Sequence, residues 1–208
     1  MTEDEAKRVI AADVSRETLN ALETYVQILR RWQPKLNLVA NATLDSVWSR
    51  HILDSLQLLR AAPVGSKSWL DLGSGGGFPG LPCAICAADY DLGTSFELVE
   101  SDTRKCAFLR EVSRQTGVDV IIQNTRIEAL EPVGADVVSA RALAPLPRLL
   151  GWVHRHVAPS GSGLLQKGAN HSLELETASA DWQMDVDVLP SVTAADSVIL
   201  RVRNLSHA

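Results

Sequence analysis

Apolar positions recur at helical spacing near the start of the chain: Leu19, Leu22, Val26 and Leu29 share one face of a stretch from residue 15 to residue 33. Ser15 has the side chain of an N-cap, and Pro34, which lacks an amide proton, is expected to close the helix. A second helix is expected from Asp45 or Ser46 to Arg60, with Trp48, Ile52, Leu56 and Leu59 on its apolar face. Pro63-Val64-Gly65 then breaks the chain. Residues 1–65 thus read as a small N-terminal helical appendage and residues 66–208 as the main domain.

From Ser68 the pattern changes to short apolar runs alternating with amphipathic ones, the mark of a parallel sheet with helices on both faces. Strands are expected at Ser68–Leu72, Phe96–Glu100, Val118–Gln123, Ala135–Ser139 and Gly163–Lys167. Helices are expected over Leu81–Ala88, over Thr103–Gln115 with Gly117 as the stop, and over Leu146–His156. After a polar helical stretch, Met184–Leu189 and Ser197–Val202 alternate like an antiparallel pair at a sheet edge. The expected fold class is α/β, a doubly wound sheet with a helical appendage at its N-terminus.

Composition changes this picture little. The 208 residues are 46% apolar and 22% charged, ordinary for a globular chain. No apolar run approaches the roughly 18 residues of a membrane helix. The start, Met1-Thr2-Glu3-Asp4-Glu5, is too acidic for a secretory signal, so a cytoplasmic protein is expected. Cys83 and Cys86 lie in the apolar run Leu81–Ala88 with no second Cys or His pair nearby, so they read as core rather than as metal ligands, and no metal is expected. A net charge of −5 argues against diffuse attraction to nucleic acid. Any RNA contact must then use local patches: Arg30-Arg31 with Lys35, Arg104-Lys105 with Arg110 and Arg114, or Arg201 with Arg203.

The strongest chemical signal is Asp71-Leu72-Gly73-Ser74-Gly75-Gly76-Gly77-Phe78-Pro79-Gly80, directly after the first strand. Glycines there let backbone approach a ligand at the carboxyl edge of an open α/β sheet. Gly75, Gly77 and Gly80 match a dinucleotide fingerprint, whereas Gly73, Gly75 and Gly77 match the looser spacing of methyltransferases. Glu100, ending the second strand, would bind ribose hydroxyls in either class. Pro79 and Pro82 discriminate better. A pyrophosphate needs free amides at the following helix N-terminus, and these prolines remove two, while S-adenosylmethionine carries no phosphate. Asp71 is a further candidate, to pair with the cofactor's ammonium group.

Five segments make up a pattern: Arg50-His51-Ile52-Leu53-Asp54-Ser55-Leu56, the glycine loop with its Phe78-Pro79-Gly80 ending, Arg126-Ile127-Glu128, Ser139-Ala140-Arg141-Ala142, and Gln166-Lys167-Gly168. In this order and spacing the chain resembles the bacterial 16S ribosomal RNA guanine-N7 methyltransferases, also called glucose-inhibited division protein B, over residues 15–204. Two positions depart from the family pattern: Ala140 stands between the serine and Arg141, and Val39 follows Asn37-Leu38 where threonine is usual. The resemblance implies a Rossmann-like class I methyltransferase domain using S-adenosyl-L-methionine. It implies cofactor contacts at Gly73, Phe78, Ile127, Glu128 and Arg141, to which the glycine spacing and the strand end add Gly75 and Glu100; Arg141 is expected to be catalytic, and His51 and Lys167 to contact the substrate. The implied substrate is a guanine of 16S ribosomal RNA, position 527 by convention, presented as RNA, small subunit or assembly intermediate. A monomer with no membrane attachment is expected.

Residues 139–146 lack the Asn/Asp-Pro-Pro-aromatic run of exocyclic-amine methyltransferases and the Pro-Cys nucleophile of 5-methylcytosine enzymes. Guanine N7 needs neither, because its in-plane lone pair is already nucleophilic and positioning carries the rate. Arg141 is expected to meet either guanine O6 or the cofactor carboxylate. His51, Asp54 and Ser55 form either part of the pocket or merely a solvent face. Two other readings remain open from sequence: an NAD-dependent oxidoreductase using Gly75, Gly77 and Gly80, and a non-catalytic module that binds cofactor or RNA.

Overall fold

In a computed structural model describing residues 1–90 and 92–208, seven strands form one twisted sheet in the order β3-β2-β1-β4-β5-β7-β6. The strands are β1 (Ser68–Leu72), β2 (Ser95–Glu100), β3 (Ile121–Asn124), β4 (Ala135–Arg141), β5 (Val157–Lys167), β6 (Trp182–Pro190) and β7 (Val198–His207). The first five are parallel, and β7 and β6 add the expected antiparallel edge. Strand β5 begins six residues before its expected start, because Pro159, Ser160 and Gly161 hide its first half among polar and turn-forming residues.

Helices cover both faces, so β1, β2 and β4 read as largely apolar runs. On one face Trp69, Phe96, Leu98 and Val137 meet α1 (Glu3–Asp13), α2 (Arg16–Leu36), α3 (Asp54–Ala61), α4 (Gly80–Cys86) and α5 (Thr103–Thr116) in a single core. On the other, Leu70, Leu72, Val99 and Val138 meet α6 (Leu146–His156) and α7 (His171–Ala178). All three cysteines are free and buried, Cys83 and Cys86 as their apolar run predicts.

Helix α1 escapes the hydrophobic pattern because only Ala6 and Ile10 are buried, yet Thr2 and Glu5 form a reciprocal capping box. Ser15 caps α2 as expected, but Pro34 does not end it. Proline there removes only the bond to the carbonyl of exposed Arg30, so the helix runs to Leu36 and stops at Asn37 in a left-handed conformation (φ 46°). The expected helix beginning near Asp45 is composite. A 3-10 turn, Asn41–Ser46, leads to a π-helical turn, Trp48–Leu53, before α3. The Glu3 carboxylate accepts the amides of Trp48 and Ser49, both at 2.9 Å, and so caps this turn from α1.

Candidate active site

The loop after β1 holds Gly73, Gly75 and Gly77 at φ 66°, 54° and 92°, a region side-chain-bearing residues rarely visit. A Cβ at Gly77 would lie 2.7 Å from the Tyr25 hydroxyl, and one at Gly73 would collide with Leu143. Two side chains from outside the loop hold it. Tyr25, fully buried on α2, donates its hydroxyl to the Gly76 carbonyl. Glu100, at the end of β2, accepts the Gly75 amide at 2.9 Å and the Asp102 amide at 2.7 Å.

Asp71 corrects the sequence reading. It shares the β1 face of Trp69, is wholly buried against the start of α4, and does not line the cleft above the carboxyl ends of β1 and β4. Its Oδ1 accepts the Ser139 hydroxyl at 2.6 Å, and that hydroxyl accepts the Trp69 indole N–H at 2.8 Å. Burial pushes the Asp71 carboxyl up to about 6, against the pull of Ser139, Ser74 and the Gly80 amide. The carboxylate therefore supports the start of α4 from below. That start offers no phosphate cradle. Pro79 and Pro82 carry no N–H, Leu81 N–H donates to Gly77, Cys83 N–H donates to Pro79, and Gly80 to Cys86 are all buried.

Above the carboxyl ends of β1 and β4 lies a cleft of about 980 Å³. Six of the expected site residues line it: Gly73, Gly75, Phe78, Arg141, His51 and Lys167. Arg141, the last residue of β4, spreads its guanidinium 4.9 Å over the Phe78 ring. Its Nη1 donates to His51 Nδ1 at 2.9 Å and to the Arg50 carbonyl at 3.3 Å, with Asp54 Oδ2 at 4.0 Å. Burial pulls the guanidinium below its usual range, and Asp54 opposes that pull. His51 stacks on the same Phe78 ring, the two ring centres 4.9 Å apart. With 7% exposure it lies on no solvent face, and burial, with Arg141 and Arg50 adding to it, drives its imidazole down to about 3.

Asp54 knots the rear of the cleft. Its Oδ2 accepts Gln166 Nε2 at 2.6 Å, and its Oδ1 accepts Thr193 Oγ1 at 2.6 Å and Gln57 Nε2 at 3.1 Å, tying α3 to β5 and to the β6–β7 loop. Lys167 lines the cleft but is engaged, donating to Glu174 at 2.6 Å and to the Ala144 carbonyl at 3.0 Å. Three expected residues stand outside the lining. Glu100 reaches the cleft only through Gly75, Ile127 is buried in the α6 core, and exposed Glu128 pairs with Arg148 at 3.2 Å.

Sequence reasoning misses Tyr25, Ser191 and Thr193, polar residues acting across long chain separations, and Thr43, which meets His51 eight residues on. For Ser191 and Thr193 the polar segment between two alternating strands was a usable signal. The basic patches also divide. Arg201 and Arg203 are both spent on Asp187, Arg104 on Asp102 and Arg114 on Glu111. Among the described residues, exposed Arg30, Arg31, Lys35 and Arg50 carry no ion pair, and Arg50 sits at the cleft itself. No helix among the described residues is long and apolar enough to cross a membrane.

Comparison with known proteins agrees with this architecture. Residues 18–201 match the family profile described as GidB, rRNA small subunit methyltransferase G. A Ruegeria protein named ribosomal RNA small subunit methyltransferase G is 47% identical over 195 residues, spanning 94% of this chain and 95% of that one. A Jannaschia protein of the same name is 49% identical over 203 residues, spanning 98% and 96%. In structure the chain is similar to the ribosomal protein L11 methylase of Lactobacillus delbrueckii subsp. bulgaricus, with a TM-score of 0.59 at 18% identity over 76% of this chain and 78% of that one. A SAM dependent methyltransferase from Aquifex aeolicus gives a TM-score of 0.58 at 14% identity over 76% and 93%. The fold is the doubly wound class I methyltransferase sheet that the sequence leads one to expect.

Proposed function

The chain belongs to the rRNA small subunit methyltransferase G family, and from that premise we propose that it moves a methyl group from S-adenosyl-L-methionine to N7 of a guanine in 16S ribosomal RNA. The observation that carries the choice of N7 is the state of the polar groups around Arg141. His51 Nδ1 already accepts from Arg141, and both Asp54 oxygens already accept from Gln166, Gln57 and Thr193. With Nδ1 so engaged, the His51 imidazole is not free to remove a proton, and Asp54 is held by protein donors at the rear of the cleft. An exocyclic amine needs one removed during transfer, whereas N7 attacks through a lone pair that is already exposed.

The residues fit the cofactor. The left-handed glycine loop keeps Cβ atoms away from the cleft floor, and Glu100 accepts one backbone amide on each oxygen, leaving lone pairs for a ribose diol. Bound there, S-adenosylmethionine supplies an electrophilic methyl group on a sulfonium sulfur. Gly73, Gly75 and Phe78 then form its floor, and Ile127 and Glu128, following β3, its adenine end, with Glu128 exchanging Arg148 for the ligand. Arg141 has five N–H donors, and Nη1 satisfies two partners within the protein, so its remaining edge is available to guanine O6 or to the cofactor carboxylate. Lys167, held by Glu174, shapes the substrate wall from the end of β5. On this reading the protein works in the cytoplasm on free or assembling small-subunit RNA. Free cations at Arg30, Arg31 and Arg50 meet the phosphates despite the net charge of −5.

The test is methyl transfer from labelled cofactor to small-subunit RNA, followed by borohydride and aniline treatment, which cuts RNA at N7-methylated guanines. A single labelled cut site is expected. Label without a cut would move the target to another atom, and no label would remove the activity. Arg141→Ala separates that residue's roles: weaker S-adenosylhomocysteine binding marks the carboxylate, while intact binding with lost turnover marks the guanine.

A further inference from the structure

We propose that Thr43 selects the tautomer of His51, and that His51 so held is the positioning residue that aims Arg141 into the cleft. This rests on the reading of Arg141 as the residue that meets the substrate or cofactor.

The argument is a chain of donors and acceptors with one consistent direction. Arginine only donates, so the 2.9 Å contact between Arg141 Nη1 and His51 Nδ1 requires a bare Nδ1. The other ring nitrogen, Nε2, lies 2.8 Å from Thr43 Oγ1. The Thr43 hydroxyl proton is committed elsewhere, since it donates to the Ala40 carbonyl at 2.8 Å. Thr43 Oγ1 must then accept, and Nε2 must carry the ring proton. Both ends of the imidazole demand the same neutral form. The relay runs Arg141 to His51 to Thr43 to the Ala40 carbonyl without a mismatch.

The relay has a rigid base. Thr43 sits on the 3-10 turn Asn41–Ser46, whose entry is clamped by buried Gln33 through Leu38, Val39 and Asn41. The imidazole stacks on Phe78, the same ring that carries the Arg141 guanidinium. The charged groups facing the ring are Arg141 from β4, Arg50 from its own turn, and Asp54 beyond Arg141. A second proton on His51 would set two cations against it and turn Nδ1 into a donor facing a donor. The ring is thus a neutral strut, and Arg141 keeps its full charge in the cleft.

The experiment uses isotope-labelled histidine in the full-length protein, with the His51 signals assigned by their absence from His51→Gln. Nuclear magnetic resonance of the ring nitrogens should show His51 as the Nε2–H form alone, unchanged between about pH 8 and about pH 5, where a free histidine titrates. Thr43→Val removes the acceptor at nearly constant shape. It should loosen Arg141 and lower kcat by about 10- to 100-fold, the scale of small misplacements at a reacting centre, in a protein that still folds; S-adenosylhomocysteine affinity weakens as well only where Arg141 holds the cofactor carboxylate. Thr43→Ser should restore turnover. A His51 signal from the Nδ1–H form, or one titrating near its ordinary value, would overturn the proposal. So would a Thr43→Val protein with full kcat. If the wild-type protein methylates no RNA, the functional reading falls by itself, and the resonance measurement still decides whether the relay exists.

Discussion

Acid should act in opposite directions on two buried groups near the cleft, so removing either one should expose the other. Asp71 is wholly buried, with its carboxyl raised from 3.8 to about 6. The folded protein therefore takes up that proton before the unfolded chain does, and the penalty for burying the charge fades as pH falls through about 6. His51 runs the other way, because its imidazole is lowered from 6.5 to about 3. The unfolded chain is protonated first, so stability that is complete above about pH 6.5 is lost as pH falls toward about 3. Each pKa unit corresponds to about 1.4 kcal/mol. Between about pH 7 and about pH 4.5, protonation of Asp71 thus adds about 2 kcal/mol while the His51 contribution removes about 3 kcal/mol, and the two nearly cancel.

Urea unfolding of the wild type, Asp71→Asn and His51→Gln across that range tests this. Asparagine keeps the oxygen that accepts from Ser139, so the fold is retained. Other carboxylates titrate alike in all three proteins and drop out of the differences. Asp71→Asn should lose about 2 kcal/mol more than the wild type on acidification, and His51→Gln should lose about 3 kcal/mol less. A difference that stays flat from about pH 7 to about pH 4.5 would show that the group concerned is not held in the protonation state its burial dictates.

Three further outcomes follow from the loop and its supports. Glu100→Ala removes acceptors from two backbone amides and should cost about 1.5–3 kcal/mol per charged hydrogen bond in unfolding free energy; calorimetry should show weaker S-adenosylhomocysteine binding, and unchanged affinity would take Glu100 out of the site. Gly75→Val places a β-branched residue at φ 54° and should cost about 1–2 kcal/mol of backbone strain. A variant that melts as a folded protein yet still binds cofactor would sink the loop assignment. Tyr25→Phe leaves the Gly76 carbonyl buried without its partner, which should lower stability by about 1–3 kcal/mol and loosen cofactor binding; denaturation and calorimetry matching the wild type would show that the tether holds nothing.

What the sequence makes legible and what it hides have separate physical causes. Two-sided burial turns β1, β2 and β4 into apolar runs, so the sheet declares itself through Leu70, Leu72, Val99 and Val138. The glycine loop declares itself too, because left-handed backbone at Gly73 and Gly77 restricts which residues can stand there. Helix α1 shows only a cap, since a helix burying two residues has no stripe to read. Side-chain hydrogen bonds leave the least trace. Tyr25 meets Gly76 across 51 positions and Thr193 meets Asp54 across 139, distances over which no periodicity operates.

Asp71 shows the limit most clearly. Alternation along β1 puts it on the face of Trp69, but with both faces covered, parity alone cannot say which face looks toward a ligand. Only the placement of α4 over that face decides that the carboxylate supports a helix start instead of reaching the cleft. Net charge misleads for a related reason. A sum of −5 carries no positions, and among the cations it counts, Arg201, Arg203, Arg104 and Arg114 are answered by Asp187, Asp102 and Glu111. An approaching phosphate meets the cations left over, and Arg50 is one of them, at the mouth of the cleft and beside the arginine that His51 holds in place.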